Sequence, residues 1–395
     1  MSWLRQTIAV TLLNLRTVPQ RLSSSAVGMV GVAGVVVVFV AVLSIGEGFK
    51  AAMQQAGSPS RAIVMRTGAD SEMTSGVLGT DADVIKEAPG VLRDANHPVA
   101  ASELFVIIDV AKKSTGTTAN VPLRGIEPTS IQVRDEFKLV DGRMLQFGTN
   151  EAIVGRAASG QFQNLEVGSD LKSGQLTLKV VGVFTTNGGA SESEIWCDGR
   201  VLQGAYRRGN SYQSVLVRLD APSSFQKLKD WLTTNPQLNV QVQRETDYYA
   251  AQSQGLTTLI TILGYSIAGL MGIGAIFGAI LTMYTAVATR AREIATLRAL
   301  GFNVFSVLIS VLGESMFLAA LGGAVGGIAA YLGFNGYQTS TMNFQTFSQV
   351  AFAFRVTPKL LTTGLFYALL MGLIGGLFPA VRAARLPISS ALREL

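Results

Sequence analysis

Residues Ala26–Ile45 read AVGMVGVAGVVVVFVAVLSI, an uncharged run rich in valine. A bilayer core of about 30 Å takes roughly 20 apolar residues of helix, so the run is read as a membrane span. Three more stretches share its character: one within Leu256–Val287, one over Val304–Leu332 interrupted only by Glu314, and one over Leu360–Ala380. The first run follows Arg16 and Arg21 as a signal peptide would, but it is too long and lacks a convincing small-residue cleavage site, which makes it a retained anchor. Ahead of it Leu4, Ile8, Leu12 and Leu15 recur at helical spacing beside Arg5 and Arg16. That pattern fits a helix lying along the membrane surface or a plain extension of the span.

Composition agrees: 48% of the 395 residues are hydrophobic and 15% are charged, a balance greasier than a soluble domain carries. The excess sits in the flanks, while about Gly57 to Gln254 has ordinary soluble chemistry. A net charge of +6 comes with no Lys/Arg run interleaved with aromatics, which argues against nucleic acid as a partner. Membrane topology explains the charge better. Arg5, Arg16 and Arg21, then Arg290, Arg292 and Arg298, then Arg382, Arg385 and Arg393 flank the spans and mark cytoplasmic segments. The lone Cys197 can form no intrachain disulfide, and the lone His97, in a turn-like Asn-His-Pro, leaves no zinc set and no serine–base pair.

The expected fold is a membrane protein of four transmembrane α-helices with a large α+β periplasmic domain inserted between the first and second, both termini cytoplasmic. The boundaries are 1–25 for a cytoplasmic amphipathic segment, 26–46 for the first span, 47–255 for the periplasmic domain and 256–284 for the second span. Residues 285–303 form a cytoplasmic helix, 304–332 the third span, 333–359 a periplasmic connection, 360–380 the fourth span and 381–395 a cytoplasmic tail. Within the domain, Leu104–Val110, Val121–Leu123, Gln175–Val183 and Ser214–Arg218 read as strands, and Thr80–Lys86 and Ser223–Thr233 as helices. The acidic pairs in Glu192-Ser-Glu194 and Glu245-Thr-Asp247 read as solvated surface carboxylates.

Thr285–Gly301, TAVATRAREIATLRALG, is the most informative segment. On a helix Ala291, Ile294, Leu297 and Leu300/Gly301 share one side, with Arg290, Glu293 and Arg298 around it, an apolar stripe suited to a groove on a partner. Arg292-Glu293-Ile294-Ala295-Thr-Leu297-Arg298-Ala-Leu300-Gly301 resembles the coupling-helix signature of permeases in the MacB/LolC/FtsX-type ABC superfamily. The tail Pro379-Ala380-Val-Arg382-Ala-Ala384-Arg385, with Pro387 and Ala391-Leu-Arg393, is similar to the motif that follows the last span there. Arg124-Gly-Ile-Glu-Pro128, Asp141-Gly-Arg143, Glu151-Ala-Ile-Val-Gly155 and Val180-Val-Gly-Val183 resemble the MacB-like periplasmic core domain.

The resemblance implies a non-catalytic permease subunit in the bacterial inner membrane, paired with a second copy, with no cofactor of its own. ATP and Mg would sit on an ABC ATPase, expected on a separate polypeptide because no G-x-x-x-x-G-K-[ST] loop is present. The implied mechanism is mechanotransmission for export, with a periplasmic membrane-fusion adaptor and an outer-membrane duct as further partners. An FtsX-like regulator of a cell-wall hydrolase and a LolC-like lipoprotein extractor are the alternatives. Glu314 needs a partner or a watery surface. Gly274 and Gly278, and Gly322 and Gly326, form small-residue faces where helices can pack closely, within the chain or between copies.

Overall fold

A computed structural model describes residues 6–8, 10–12 and 22–388. Leu4, Arg5, Leu15, Arg16, Arg21 and Ala391-Leu-Arg393 lie outside them. Four helices among the described residues are long and apolar enough to cross a membrane. They belong to α1 (Leu22–Ala56), α7 (Glu245–Thr289), α9 (Val304–Phe334) and α10 (Pro358–Ala384). At 1.5 Å per residue, the 35 residues of α1 and the 45 of α7 extend about 52 and about 68 Å, well beyond a bilayer core. Each helix therefore outruns the span expected of it: α1 continues past residue 46, and α7 begins before residue 256.

Two units divide the chain. One comprises Met1–Glu47, Leu259–Tyr337 and Phe354–Leu395, the other Gly48–Thr258 and Gln338–Ala353.

In the second unit the strands are β1 (Arg61–Arg66), β2 (Ala100–Ala111), β3 (Thr118–Ile126), β4 (Lys138–Gly142), β5 (Glu151–Gly155), β6 (Asp170–Ser173), β7 (Leu176–Thr185), β8 (Ile195–Asp198), β9 (Ser214–Arg218) and β10 (Val240–Arg244). They form one mixed sheet in the order β10-β1-β9-β2-β3-β8-β5-β7-β4, with β6 added on β7. The β8–β3 and β7–β5 pairs are parallel, and the other neighbours run antiparallel. Five short helices accompany them: α2 (Gly79–Lys86), α3 (Thr129–Val133), α4 (Arg156–Gln161), α5 (Gly199–Ala205) and α6 (Phe225–Thr234). Two of the unit's buried apolar clusters lie along opposite ends of the sheet order. One gathers Ala62, Val64, Ile85, Val215, Leu228 and Val242; the other gathers Leu104, Val121, Leu123, Val154, Leu178 and Ile195.

The strands expected at 104–110, 121–123, 175–183 and 214–218 all lie within or along observed strands, and helix 80–86 matches α2 within a residue. At the second expected helix, Pro222–Ser224 forms a 3-10 turn and α6 begins at Phe225. Strands β1, β4, β5, β6, β8 and β10 were not expected from the pattern. Cys197 is buried in β8, where burial pushes its thiol pKa up. A thiol-specific reagent such as Ellman's should therefore leave the folded chain unlabelled and label Cys197 only after denaturation, which absorbance at 412 nm would follow.

The 333–359 connection is structured: β11 (Gln338–Asn343) and β12 (Ser348–Ala353) pair as an antiparallel hairpin grouped with the second unit.

Candidate functional site

The helix expected over 285–303 is shorter. α7 runs through Thr289, and α8 (Ala291–Ala299) follows a break at Arg290. Its end is fixed by Gly301, whose φ of +90° lies in the left-handed region where a side chain would be strained. The Phe302 N–H donates to Leu297 O at 3.2 Å and the Gly301 N–H to Arg298 O at 3.1 Å, a Schellman closure. Asn303 then caps α9 by accepting the Phe305 N–H at 3.0 Å.

The apolar stripe of α8 turns inward, contrary to its reading as a docking face. Ile294 packs with Met283, Val287, Val307 and the tail alanines Ala380 and Ala383. Ala295 and Ala384 are buried too, Leu297 is half-buried, and Leu300 is 72% exposed. The helix is short and held at both ends, so burying its apolar side against its own chain is the favourable use of that surface. Arg292 and Glu293 are exposed. Arg298 faces home: its Nη1 donates to Leu386 O at 2.7 Å, tying α8 to the tail. Arg382 lies over the Tyr284 ring at 5.3 Å, Pro379 is buried within α10, and Arg385 is exposed. Two motifs some 80 residues apart in sequence thus form one packed cluster.

Glu314 has its partner. Arg290 Nη1 and Nη2 reach Glu314 Oε2 and Oε1 at 2.8 and 2.9 Å, and both side chains are buried. The fork pins the start of α8 to the interior of α9. Beside it lies a cavity of about 290 Å³ lined by Val10, Met283, Val287, Ile294, Val307 and Glu314 among others. In the N-terminal segment Val10 is buried while Ile8 and Leu12 are exposed, and the Thr7 hydroxyl donates to Ser306 Oγ at 3.1 Å. The glycine faces divide. A Cβ on Gly322 or Gly326 would lie 2.7 Å from Met29 O or 2.6 Å from Ala33 O, so that face packs against α1 of the same chain. Gly274 and Gly278 meet nothing within 4 Å.

A second cluster, in the β-rich unit, escaped the sequence reading. Arg124 on β3 is buried among three carboxylates: it reaches Glu194 at 2.7 Å, Glu72 at 2.7 Å and Glu103 at 2.9 Å. Arg134 binds Glu103 as well, and its guanidinium lies 5.1 Å from the centre of the Trp196 ring. Arg61 bonds Glu245, the first residue of α7, and Glu136, and donates to Ala56 O at the end of α1. It thereby ties the roots of both long helices together. Glu192, Glu194 and Glu245 are all buried, so the expectation of solvated carboxylates at 192–194 and 245 is overturned: arginines and backbone N–H groups supply what water would.

Burial alone would raise the Glu103 carboxyl, but the Arg134 and Arg124 guanidinium groups outweigh it and hold the pKa at about 2. The folded pKa lies below the unfolded one of about 4.3, so this contribution is complete above that value and is lost as pH falls towards 2. Acid titration followed by Trp196 fluorescence should show the domain loosening between about pH 4 and pH 2. In Glu103→Gln, which is weakened at neutral pH, the remaining stability should depend less on pH across that window. A parent profile flat down to pH 2 would contradict the assignment.

Residues 25–235 match the family model of the MacB-like periplasmic core domain, and residues 265–388 match that of the FtsX-like permease C-terminal region. The chain is 24% identical over 404 aligned residues to the macrolide export ATP-binding/permease protein MacB of Bdellovibrio bacteriovorus, across 93% of this chain and 59% of that protein. It thus spans about three-fifths of that relative's length. Among solved structures, the periplasmic region of MacB from Actinobacillus actinomycetemcomitans is similar at 12% identity, covering 49% of this chain and 92% of the other with a TM-score of 0.38. The extracellular domain of the transporter YknZ from Gram-positive bacteria is similar at 16% identity, 46% and 99% coverage, and a TM-score of 0.35. With more than half of its length matched by the first model and its last third by the second, the chain belongs to the MacB/FtsX-type family, the permease subunits of ABC-type transporters.

Proposed function

We propose that this permease is a mechanical transmitter in the bacterial inner membrane, with both termini and α8 in the cytoplasm and the β-rich domain in the periplasm. Two copies stand over ATPase subunits carried on separate chains, which hold the ATP and Mg. ATP closes the ATPases, α8 moves with them, and the periplasmic domains push substrate towards an adaptor and an outer-membrane duct. A ligand shifts such an equilibrium only through different affinity for its two states, so ATP must favour the closed arrangement. The observation that supports this reading best is the double anchorage of α8, to α9 through Arg290–Glu314 and to the tail through Arg298–Leu386. A helix so held cannot shift without carrying its neighbours.

Purification of the chain in mild detergent from its native membrane, with mass spectrometry of stoichiometric partners, tests the reading. An ATPase with a membrane-fusion adaptor supports it. An ATPase with a cell-wall hydrolase would favour an FtsX-like regulator, bound lipoprotein would favour a LolC-like extractor, and absence of any ATPase would reject the proposal. Arg292, exposed on α8, gives a finer check. Arg292→Glu should lower transport-coupled ATPase activity roughly 10-fold without changing the thermal melt. Full coupling in that variant would remove Arg292 from the docking face.

A further inference from the structure

The link between α9 and α10 is built as a stiff arm. Its ladder starts at the helix ends, where the Gly336 N–H donates to Phe354 O and the Phe354 N–H donates to Tyr337 O, both at 2.9 Å. Phe334 and Phe354 stack with centroids 6.3 Å apart. β11 and β12 then pair residue for residue from Gln338 and Ala353 to Asn343 and Ser348. A two-stranded ribbon alone is marginally stable in water. This one is held by the external domain: the Ala351 N–H donates to Ser193 Oγ at 2.8 Å, and Asn120 Nδ2 donates to Phe347 O at 2.7 Å. It also grips both long helices. Asn343 Nδ2 donates to Gln252 Oε1 of α7 at 2.8 Å, Phe352 meets Phe49 of α1 edge to face at 5.7 Å, and a Cβ on Gly48 would lie 2.2 Å from Ala353 O.

We infer that this arm is a third strut, carrying displacement of α9 and α10 into the external domain alongside the continuous helices α1 and α7. The inference rests on the proposed ATP-driven motion. Its physical basis is the load path. Arg290–Glu314 couples the start of α8 to α9, a 31-residue helix, and only Asn335–Tyr337 separate the end of α9 from the arm. A flexible loop here would absorb the movement; a hydrogen-bonded ribbon with buried Asn343, Ser348 and Phe352 passes it on. The destination is specific. β12 bonds Ser193, next to the Glu194 that binds Arg124, so the load arrives at the buried ion cluster.

The test uses the full-length permease with its co-purified ATPase in lipid nanodiscs. Hydrogen–deuterium exchange is compared without nucleotide and after trapping with Mg-ATP and vanadate. In the parent, trapping should change exchange at 291–299, at 338–353 and at 190–194. A slack variant carries Gly-Gly inserted after Tyr337 and again after Ala353, which spares every residue packed against the domain. Its response at 291–299 should persist while that at 190–194 falls roughly 5-fold or more, with the thermal melt unchanged. Should the insertions prevent folding, Asn343→Ala supplies the same comparison with a smaller loss. A parent that responds at 291–299 but not at 338–353, or a slack variant with an undiminished response at 190–194, overturns the strut alone. No response even at 291–299 rejects the ATP-driven reading and the strut with it.

Discussion

Arg124→Ala is expected to destabilise the external domain by about 3–5 kcal/mol, the range for breaking a buried ion pair by removing one partner. The geometry argues for the upper end. Arg124 is 2% exposed and serves Glu72, Glu103 and Glu194 at once, so its removal takes the shared guanidinium from all three, of which Glu103 keeps its bridge to Arg134. Each must then find water, take up a proton, or move apart from its neighbours, and Ser214 and Trp196, which donate to Glu72 and Glu194, lose fixed acceptors. Arg124→Lys should rescue little, because an ammonium is a compact charge that cannot fork to several carboxylates in their present positions. Guanidinium unfolding of the intact chain in nanodiscs, followed by Trp196 fluorescence, would measure the loss. A change below about 1 kcal/mol would mean that the cluster relaxes around the gap and that the arginine is not its keystone.

None of that cluster was readable locally. Arg124-Gly-Ile-Glu-Pro128 stands out as a motif, but the partners of Arg124 are 21, 52 and 70 residues away, and only tertiary folding brings them to one point. Glu194 and Glu245 sit in polar runs that look solvated for the same reason: local composition reports neighbours in sequence, not the arginines that arrive from other strands. The apolar helices were legible because length and hydrophobicity are local properties, and β9 was legible because Ser214–Arg218 is a compact β-branched run. Strands β5 and β8 were missed because each is short and buried throughout or nearly so, leaving no alternation to read. At 285–303 the sequence pattern pointed to one helix, where the chain instead ends α7 at Thr289 and starts α8 at Ala291. Which side faces outward depended on Ala380 and Ala383, residues of the tail, and periodicity alone could not supply that.

Glu314→Ala is expected to uncouple the permease more completely than any surface change on α8. Removing the carboxylate takes both bonds of the fork from the buried Arg290 guanidinium, at a cost of roughly 3–5 kcal/mol, and the start of α8 loses its clamp to α9. Two effects are thereby mixed, stability and transmission, and the double replacement Arg290→Met/Glu314→Met separates them. Well-packed apolar side chains in place of a buried pair are often neutral or stabilising, and in a bilayer they also remove an insertion cost of about 2.5–3.5 kcal/mol per charge. The double variant should therefore melt at or above the parent's temperature. Its coupling should still be impaired, because a methionine contact slides where a bidentate fork holds register. Melting temperature and transport-coupled ATPase activity, measured on the same nanodisc preparations, distinguish the cases: a stable and fully coupled double variant would reduce Arg290–Glu314 to a packing device, whereas a stable and uncoupled one would identify it as the joint through which α8 drives α9.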